Sequence, residues 1–258
     1  MGILPVDTAI DITQRALTRA TVARAERALD ARVDVIDAPA LSEAAARSAA
    51  NAGHVLLVSG FAGTTTGLGP IARTLVRDGF APPTLVGIPD GGLAPAAEGV
   101  RALDAAIRAL PTGEPIHLAG HSKGGVVAQS WYDQAPAELR ERVQSITLIE
   151  SSNTGQTLSL AETIAQRAAD LVTGPFGSVV AETQATSPTM ARIANMSLEP
   201  GTRPMSIIST NDGLLDTAEA HWAGAKNVVI DGDDAPSHIE ALVHPRVYQE
   251  FRDHLLDG

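Results

Sequence analysis

Residues 116–128 read Ile116-His117-Leu118-Ala119-Gly120-His121-Ser122-Lys123-Gly124-Gly125-Val126-Val127-Ala128. A short apolar run of strand character passes through Gly-x-Ser-x-Gly into a stretch of helical composition. The pattern therefore predicts a sharp strand-to-helix turn with Ser122 at its apex. A side chain at either flanking glycine would crowd the backbones of the adjoining strand and helix. Such a turn lifts the Ser122 hydroxyl above the sheet edge. The helix that starts behind it offers unpaired N–H groups and a positive dipole end to developing negative charge. Five residues of this kind are weak evidence alone; the strand before them and the helix after them give the motif its weight.

The same alternation extends in both directions. Short apolar runs rich in β-branched residues occur at His54 to Ser59, Pro83 to Ile88, Ile116 to Ala119, Val143 to Ile149, Pro204 to Ser209 and Asn227 to Ile230. Apolar residues on consecutive positions fit strands buried on both faces. Crossover helices fit at about Gly69 to Asp78, Gly99 to Leu110, Lys123 to Gln134 and Pro245 to Leu256. Strands alternating with helices predict an α/β protein with a mostly parallel sheet and right-handed connections.

Two regions depart from this rhythm. Residues 1–50 are Ala-rich, and the segments 11–31 and 41–50 have helical spacing of Arg and Glu, so a helical N-terminal segment is expected ahead of an α/β domain at 51–258. About fifty residues separate the strand ending near Glu150 from the one starting near Pro204, too many for a single crossover. That interval, at about 151–203, holds two amphipathic stretches, LSLAETIAQRAADLVTGPF and TSPTMARIANMSL, and reads as a helical insertion. It is either a lid over the carboxyl edge of the sheet or an extra packing layer.

Composition narrows the function. The 258 residues, 44% hydrophobic and 19% charged, are those of an ordinary globular protein. A net charge of −11 provides no positive field for a phosphate backbone, so nucleic acid is not an expected partner. With no cysteine there is no disulfide, thiolate nucleophile or cysteine metal site. No apolar run is long enough for an integral membrane segment and no signal-like start is present, which leaves compartment and oligomeric state open. Aromatic residues are only 3% of the chain, so any apolar pocket must have mainly aliphatic walls. The Asp231, Asp233, Asp234 cluster superficially suggests a calcium loop. The twelfth position counted from Asp231 is Leu242 rather than Glu, and the cluster reads as solvated turn carboxylates with no metal.

With its Gly-x-Ser-x-Gly between strand and helix, the chain from about residue 54 to 257 resembles the α/β-hydrolase superfamily, and within it the small bacterial serine lipases and esterases. The resemblance implies a nucleophile elbow at Ser122 and a chain order of Ser, then an acid, then His. Of the histidines that follow, His238 sits in a polar loop after the last strand, where the family keeps its base. His244 precedes Pro245, and His221 and His254 fall in helical stretches. For the acid, Asp212 lies just past a strand end before Gly213, with Asp216 and Glu150 as alternatives. The resemblance also implies an oxyanion hole from the N–H groups of Lys123 and Phe61. Such lipases usually carry His-Gly at the loop holding Phe61; here Ser59 replaces that His, which leaves the loop in need of another support, for which the Thr64-Thr65-Thr66 run is the candidate. A lysine in the first turn of a helix opposes the dipole, so the Lys123 side chain should find a carboxylate or turn to solvent.

These residues imply a serine carboxylic-ester hydrolase with the catalytic set Ser122, Asp212 and His238 and no cofactor, acting on a small-molecule or lipid ester with an aliphatic acyl group. A thioesterase or acyltransferase shares the same first half-reaction, and a non-catalytic binding module is the remaining alternative. Leu68 and Phe176 are candidate substrate contacts. Leu158, Leu160, Ile164, Leu171 and Val172 are further lining candidates in the insertion.

Overall fold

The computed structural model describes residues 20–61, 63–155 and 182–257. Six strands form one parallel sheet: β1 His54–Val58, β2 Thr84–Val86, β3 Ile116–His121, β4 Val143–Ile149, β5 Arg203–Ser209 and β6 Lys226–Ile230. Each coincides with one of the six expected apolar runs. β3 runs two residues further than expected, because Gly120 and His121 continue the ladder opposite Leu148 and Ile149.

The helices are α1 (residues 20–32), α2 Glu43–Ala49, α3 Gly69–Arg77, α4 Ala96–Arg108, α5 Lys123–Gln134, α6 Ala137–Arg140, α7 Pro188–Ala194, α8 Thr217–Ala220 and α9 Pro245–Leu256. Local sequence sets their ends. Ser187 caps α7 by accepting a hydrogen bond from the Met190 amide at 3.1 Å. Pro188 and Pro245 stand at the first turns of α7 and α9, where their missing N–H costs nothing. The first amphipathic stretch of the insertion, 158–176, lies outside the described residues, and with it Phe176 and the other lining candidates.

Successive strand residues point to opposite faces, and both faces are covered. Val55 and Leu57 of β1 pack with Ile71 and Leu75 of α3 and Tyr248 and Phe251 of α9. Leu56 and Val58 join Leu103 and Ile107 of α4 and Val127 and Trp131 of α5 on the other side. This double burial is why the strands read as unbroken apolar runs. Ile36, Ala38 and Ala49 are part of the first core, so the stretch from Ile36 to Ala49 packs against the sheet domain.

Strand order is β2-β1-β3-β4-β5-β6. The chain leaves β1 toward one edge, then returns to continue on the other side. Reversal at β1 and β3 opens a crevice at their carboxyl ends, the usual ligand site of such sheets. Ser122 follows β3 and Gly60 follows β1.

Candidate active site

Ser122 has φ 54° and ψ −127°, outside the regions open to most L-residues, and α5 starts at the next residue. Its amide donates to the Ile149 carbonyl at 2.9 Å and its carbonyl accepts from the Gly125 amide at 2.9 Å, bonds that hold the turn. The flanking glycines are required by contact. A Cβ on Gly120 would run into the Gly124 and Gly125 backbone, and one on Gly124 into the Val58 and Ser59 carbonyls.

Asp212 and His238 meet beside this turn. The Asp212 Oδ2 accepts from His238 Nδ1 at 2.6 Å, and Oδ1 accepts from the amides of Leu214 at 2.8 Å and Leu215 at 2.7 Å. The histidine loop is tied down by its backbone as well. The His238 amide donates to the Asp212 carbonyl at 3.0 Å, Ser209 Oγ to the Pro236 carbonyl at 2.6 Å, and Asn211 Nδ2 to the Ala235 carbonyl at 3.1 Å. With Nδ1 on the carboxylate, Nε2 is the ring nitrogen left to exchange a proton.

A second imidazole supports the first. His121 Nε2 donates to the His238 carbonyl at 2.9 Å, and the two rings lie 4.7 Å apart between centroids. Burial, then the neighbouring His238, pushes His121 down to about 3, so it stays neutral and keeps this tautomer.

Glu150 follows β4 directly with φ 46° and is fully buried beside Asp212. Neither of its oxygens has a hydrogen bond of ordinary geometry. Burial, reinforced by the Asp212 carboxylate, raises its pKa well above the usual carboxyl range. Burial also acts on Asp212, but there the His238 hydrogen bond and charge, with Glu150 and the Leu214 amide, outweigh it and the value falls. The pair therefore holds one proton near neutral pH, on Glu150, and Asp212 is the ionised member.

Ser122, His121 and His238 line one cavity of about 160 Å³, whose remaining wall is chiefly apolar, with Val22, Leu68, Leu214, Ile239 and Leu242 beside the polar Glu26, Ser59 and Thr64. Phe61 lines the same cavity from the loop after β1. That loop is pressed onto the serine turn, since a Cβ on Gly60 would lie 3.0 Å from both the Ser122 Cβ and His121 Nδ1. Ser59, where a histidine was expected, accepts from the Ile88 amide at 3.3 Å and donates to the Gly63 carbonyl at 3.5 Å.

No family model matches the sequence, and no curated protein sequence does either. Solved structures do. The chain superposes on the metagenomic carboxyl esterase MGS0156 with a TM-score of 0.61 at 16% identity, over 84% of this chain and 77% of that one. The chain has the α/β-hydrolase fold. A lipase-esterase related protein from Clostridium acetobutylicum matches this chain at a TM-score of 0.51 and 12% identity, over 78% of this chain and 93% of that one. Carboxylesterase CesB from Bacillus subtilis does so at 0.50 and 16%, over 80% and 84%.

Of the expected site residues, the structure brings Ser122, Asp212, His238, Phe61 and Leu68 to one cavity or its immediate wall. Lys123 opens α5, and as its first residue it has no intrahelical acceptor for its amide. Of the alternatives, Glu150 stays beside Asp212 and the others disperse. Asp216 caps α8 in a capping box with Glu219. His221 ends that helix, His254 bonds the Arg203 carbonyl at 3.2 Å, and His244 faces Asp234 at 3.6 Å. The Lys123 side chain did find a carboxylate: Nζ donates to the Ala94 carbonyl at 2.5 Å and lies 3.8 Å from Glu182 Oε2. Among the described residues no three His, Asp or Glu side chains converge as a metal site requires, and no helix is long and apolar enough to cross a membrane.

Two participants were not visible in the sequence. His121 is a motif residue whose role depends on where a loop over a hundred positions away arrives. Glu26, in an Ala-rich helix with no motif around it, reaches the loop that carries Phe61.

Proposed function

We propose that this α/β-hydrolase is a serine carboxylic-ester hydrolase that works through an acyl-enzyme. Ser122 Oγ attacks the acyl carbon while His238 Nε2 takes its proton. The proton then passes to the departing alcohol as the ester C–O bond breaks, and water repeats the sequence to release the acid. Asp212 stays ionised, fixes the imidazole tautomer through Nδ1 and stabilises the imidazolium that forms. The amides of Lys123 and Phe61 receive the tetrahedral oxyanion, at the start of α5 where the helix dipole also favours negative charge.

The observation that carries this reading is the shared cavity: a serine held at φ 54° opens onto the same space as a histidine whose other nitrogen is 2.6 Å from a buried carboxylate. Cavity chemistry supports the substrate class. A space of about 160 Å³ with Leu68, Leu214, Ile239 and Leu242 in its wall suits an aliphatic acyl chain of about six carbons. The carboxylesterases and the lipase-esterase related protein among the structural neighbours point the same way.

The deciding experiment pairs p-nitrophenyl butyrate hydrolysis with fluorophosphonate labelling. Wild-type protein is expected to turn the ester over and to be labelled at Ser122 alone. Ser122→Ala should lose both properties, and near-wild-type turnover by that variant would refute the mechanism.

A further inference from the structure

The N–H of Phe61 can serve an oxyanion only if the loop from Gly60 to Thr64 holds a fixed shape, and that loop belongs to neither strand nor helix. Inside it, Gly63 donates to the Gly60 carbonyl at 3.2 Å, which closes a tight turn around Phe61. Its far end is held from outside. The Glu26 carboxylate accepts from the Thr64 amide at 2.8 Å and 3.0 Å to its two oxygens, and from Thr64 Oγ1 at 2.6 Å. Glu26 is only 4% exposed although it lies on α1. Room for it is made by two glycines: a Cβ on Gly67 would lie 2.6 Å from Glu26 Oε1, and one on Gly63 3.1 Å away. Thr64 in turn caps the single 3₁₀ turn at Thr65–Leu68 through Oγ1 and the Thr66 amide at 3.2 Å, and Leu68 is in the cavity wall. One turn earlier on α1, Val22 lines the same cavity.

We propose that Glu26 is a positioning residue for the oxyanion loop, so that helix α1 is a working part of the active site and not an appendage to the α/β core. A buried carboxylate gripping one residue by two donors is a stiff support, and a charge-assisted bond to a backbone N–H is among the stronger kinds. It anchors the loop from outside β1, in addition to the bonds that Ser59 makes with Ile88 and Gly63. The proposal rests on the hydrolase reading above, since a loop without an oxyanion to meet would need no such aim.

Loss of a whole oxyanion donor costs on the order of 100- to 1,000-fold in kcat. Glu26 aims the donor without supplying it, so Glu26→Ala should lower kcat by about 10- to 100-fold with KM changed less than about threefold. Glu26→Gln, whose amide oxygen still accepts one bond, should recover part of the loss, and Thr64→Val should resemble Glu26→Ala. Rates are to be expressed per site titrated with fluorophosphonate, so that unfolded material does not count. The affinity of a trifluoromethyl ketone, which places an oxyanion in the hole, should fall in parallel with kcat/KM. A purely structural Glu26 would reduce the titrated fraction and leave kcat per site and ketone affinity within about twofold of wild type, which would overturn the proposal. Should Glu26→Ala not fold, Glu26→Gln and Thr64→Val decide by the same criteria. Wild-type protein that neither reacts with the probe nor hydrolyses the ester would remove the hydrolase reading itself, and this proposal with it.

Discussion

Replacing Lys123 with methionine should change how stability varies with pH, in a direction opposite to the usual effect of deleting a lysine. The ammonium group is enclosed at the base of α5, 3% exposed, with the Ala94 carbonyl as acceptor and the Glu182 carboxylate 3.8 Å away. Burial pushes its pKa from the ordinary 10.5 down to about 8, with Glu182 offsetting only part of the fall. Below pH 8 both native and unfolded chains carry the proton, and folding bears the cost of burying it. Between about 8 and 10.5 the native protein has released the proton while the unfolded chain retains it, so stability must rise with pH across that window. At about 1.4 kcal/mol per pKa unit, the gain between about pH 7 and pH 10 is about 2 to 3 kcal/mol. Methionine has similar length and no charge, so it removes the term at every pH. Urea unfolding of both proteins across this range, at constant ionic strength, gives the measured quantity: wild-type stability minus that of Lys123→Met. Groups common to both proteins cancel, including Tyr248, whose hydroxyl burial pushes upward and which acts in the opposite sense above about pH 10. The difference should climb by about 2 to 3 kcal/mol toward the wild type. A flat or falling difference would mean that Lys123 is charged and well solvated, and would refute the reasoning.

Other outcomes follow from the same contacts. Asp212→Asn should lower kcat on the order of 10,000-fold, whereas Glu150→Gln, which replaces an already neutral carboxyl, should stay within about fivefold; equal losses would reverse the assignment of the shared proton. Gly124→Ala should cost about 1 to 3 kcal/mol in denaturant unfolding, because its Cβ meets the Ser59 carbonyl at 2.6 Å and forces α5 off β1. Hexanoate esters should exceed benzoate and palmitate esters of the same alcohol in kcat/KM by on the order of 10-fold, since the wall is aliphatic and the cavity near six carbons in size; a benzoate preference would count against this wall as the acyl site.

The six strands were legible because burial on both faces writes an unbroken apolar run into each, and the turns between them carry glycine and proline. Ser122 was legible for a local reason: a left-handed apex between two crowded glycines leaves its trace within five residues. Asp212 and His238 were legible only through the order of parts that the resemblance implies, since Asp before Gly and His in a loop are common. The threonine run that includes Thr64 stands out as a candidate support for the loop, but its partner Glu26 lies 38 positions away and nothing local marks it. The partner of Lys123 is legible in kind but not in identity, because Glu182 reaches it from within the insertion, far along the chain. Apposition of Glu150 and Asp212 likewise depends on β4 and β5 being neighbours, a property of strand order that composition does not carry.

Among the described residues β6 pairs with β5 on one side and has no strand on the other. The loop bearing His238 therefore hangs from the margin of the sheet, held back by Asp212, Asn211 and Ser209, while Ser122 sits between two fully paired strands. The two halves of the proposed proton relay thus belong to regions of unequal endurance. Margins fray at free energies well below that of global unfolding. Mild heat or dilute urea should accordingly silence the protein while its core spectrum is still native, and the lost activity should return at once on dilution, because the serine half never left its place.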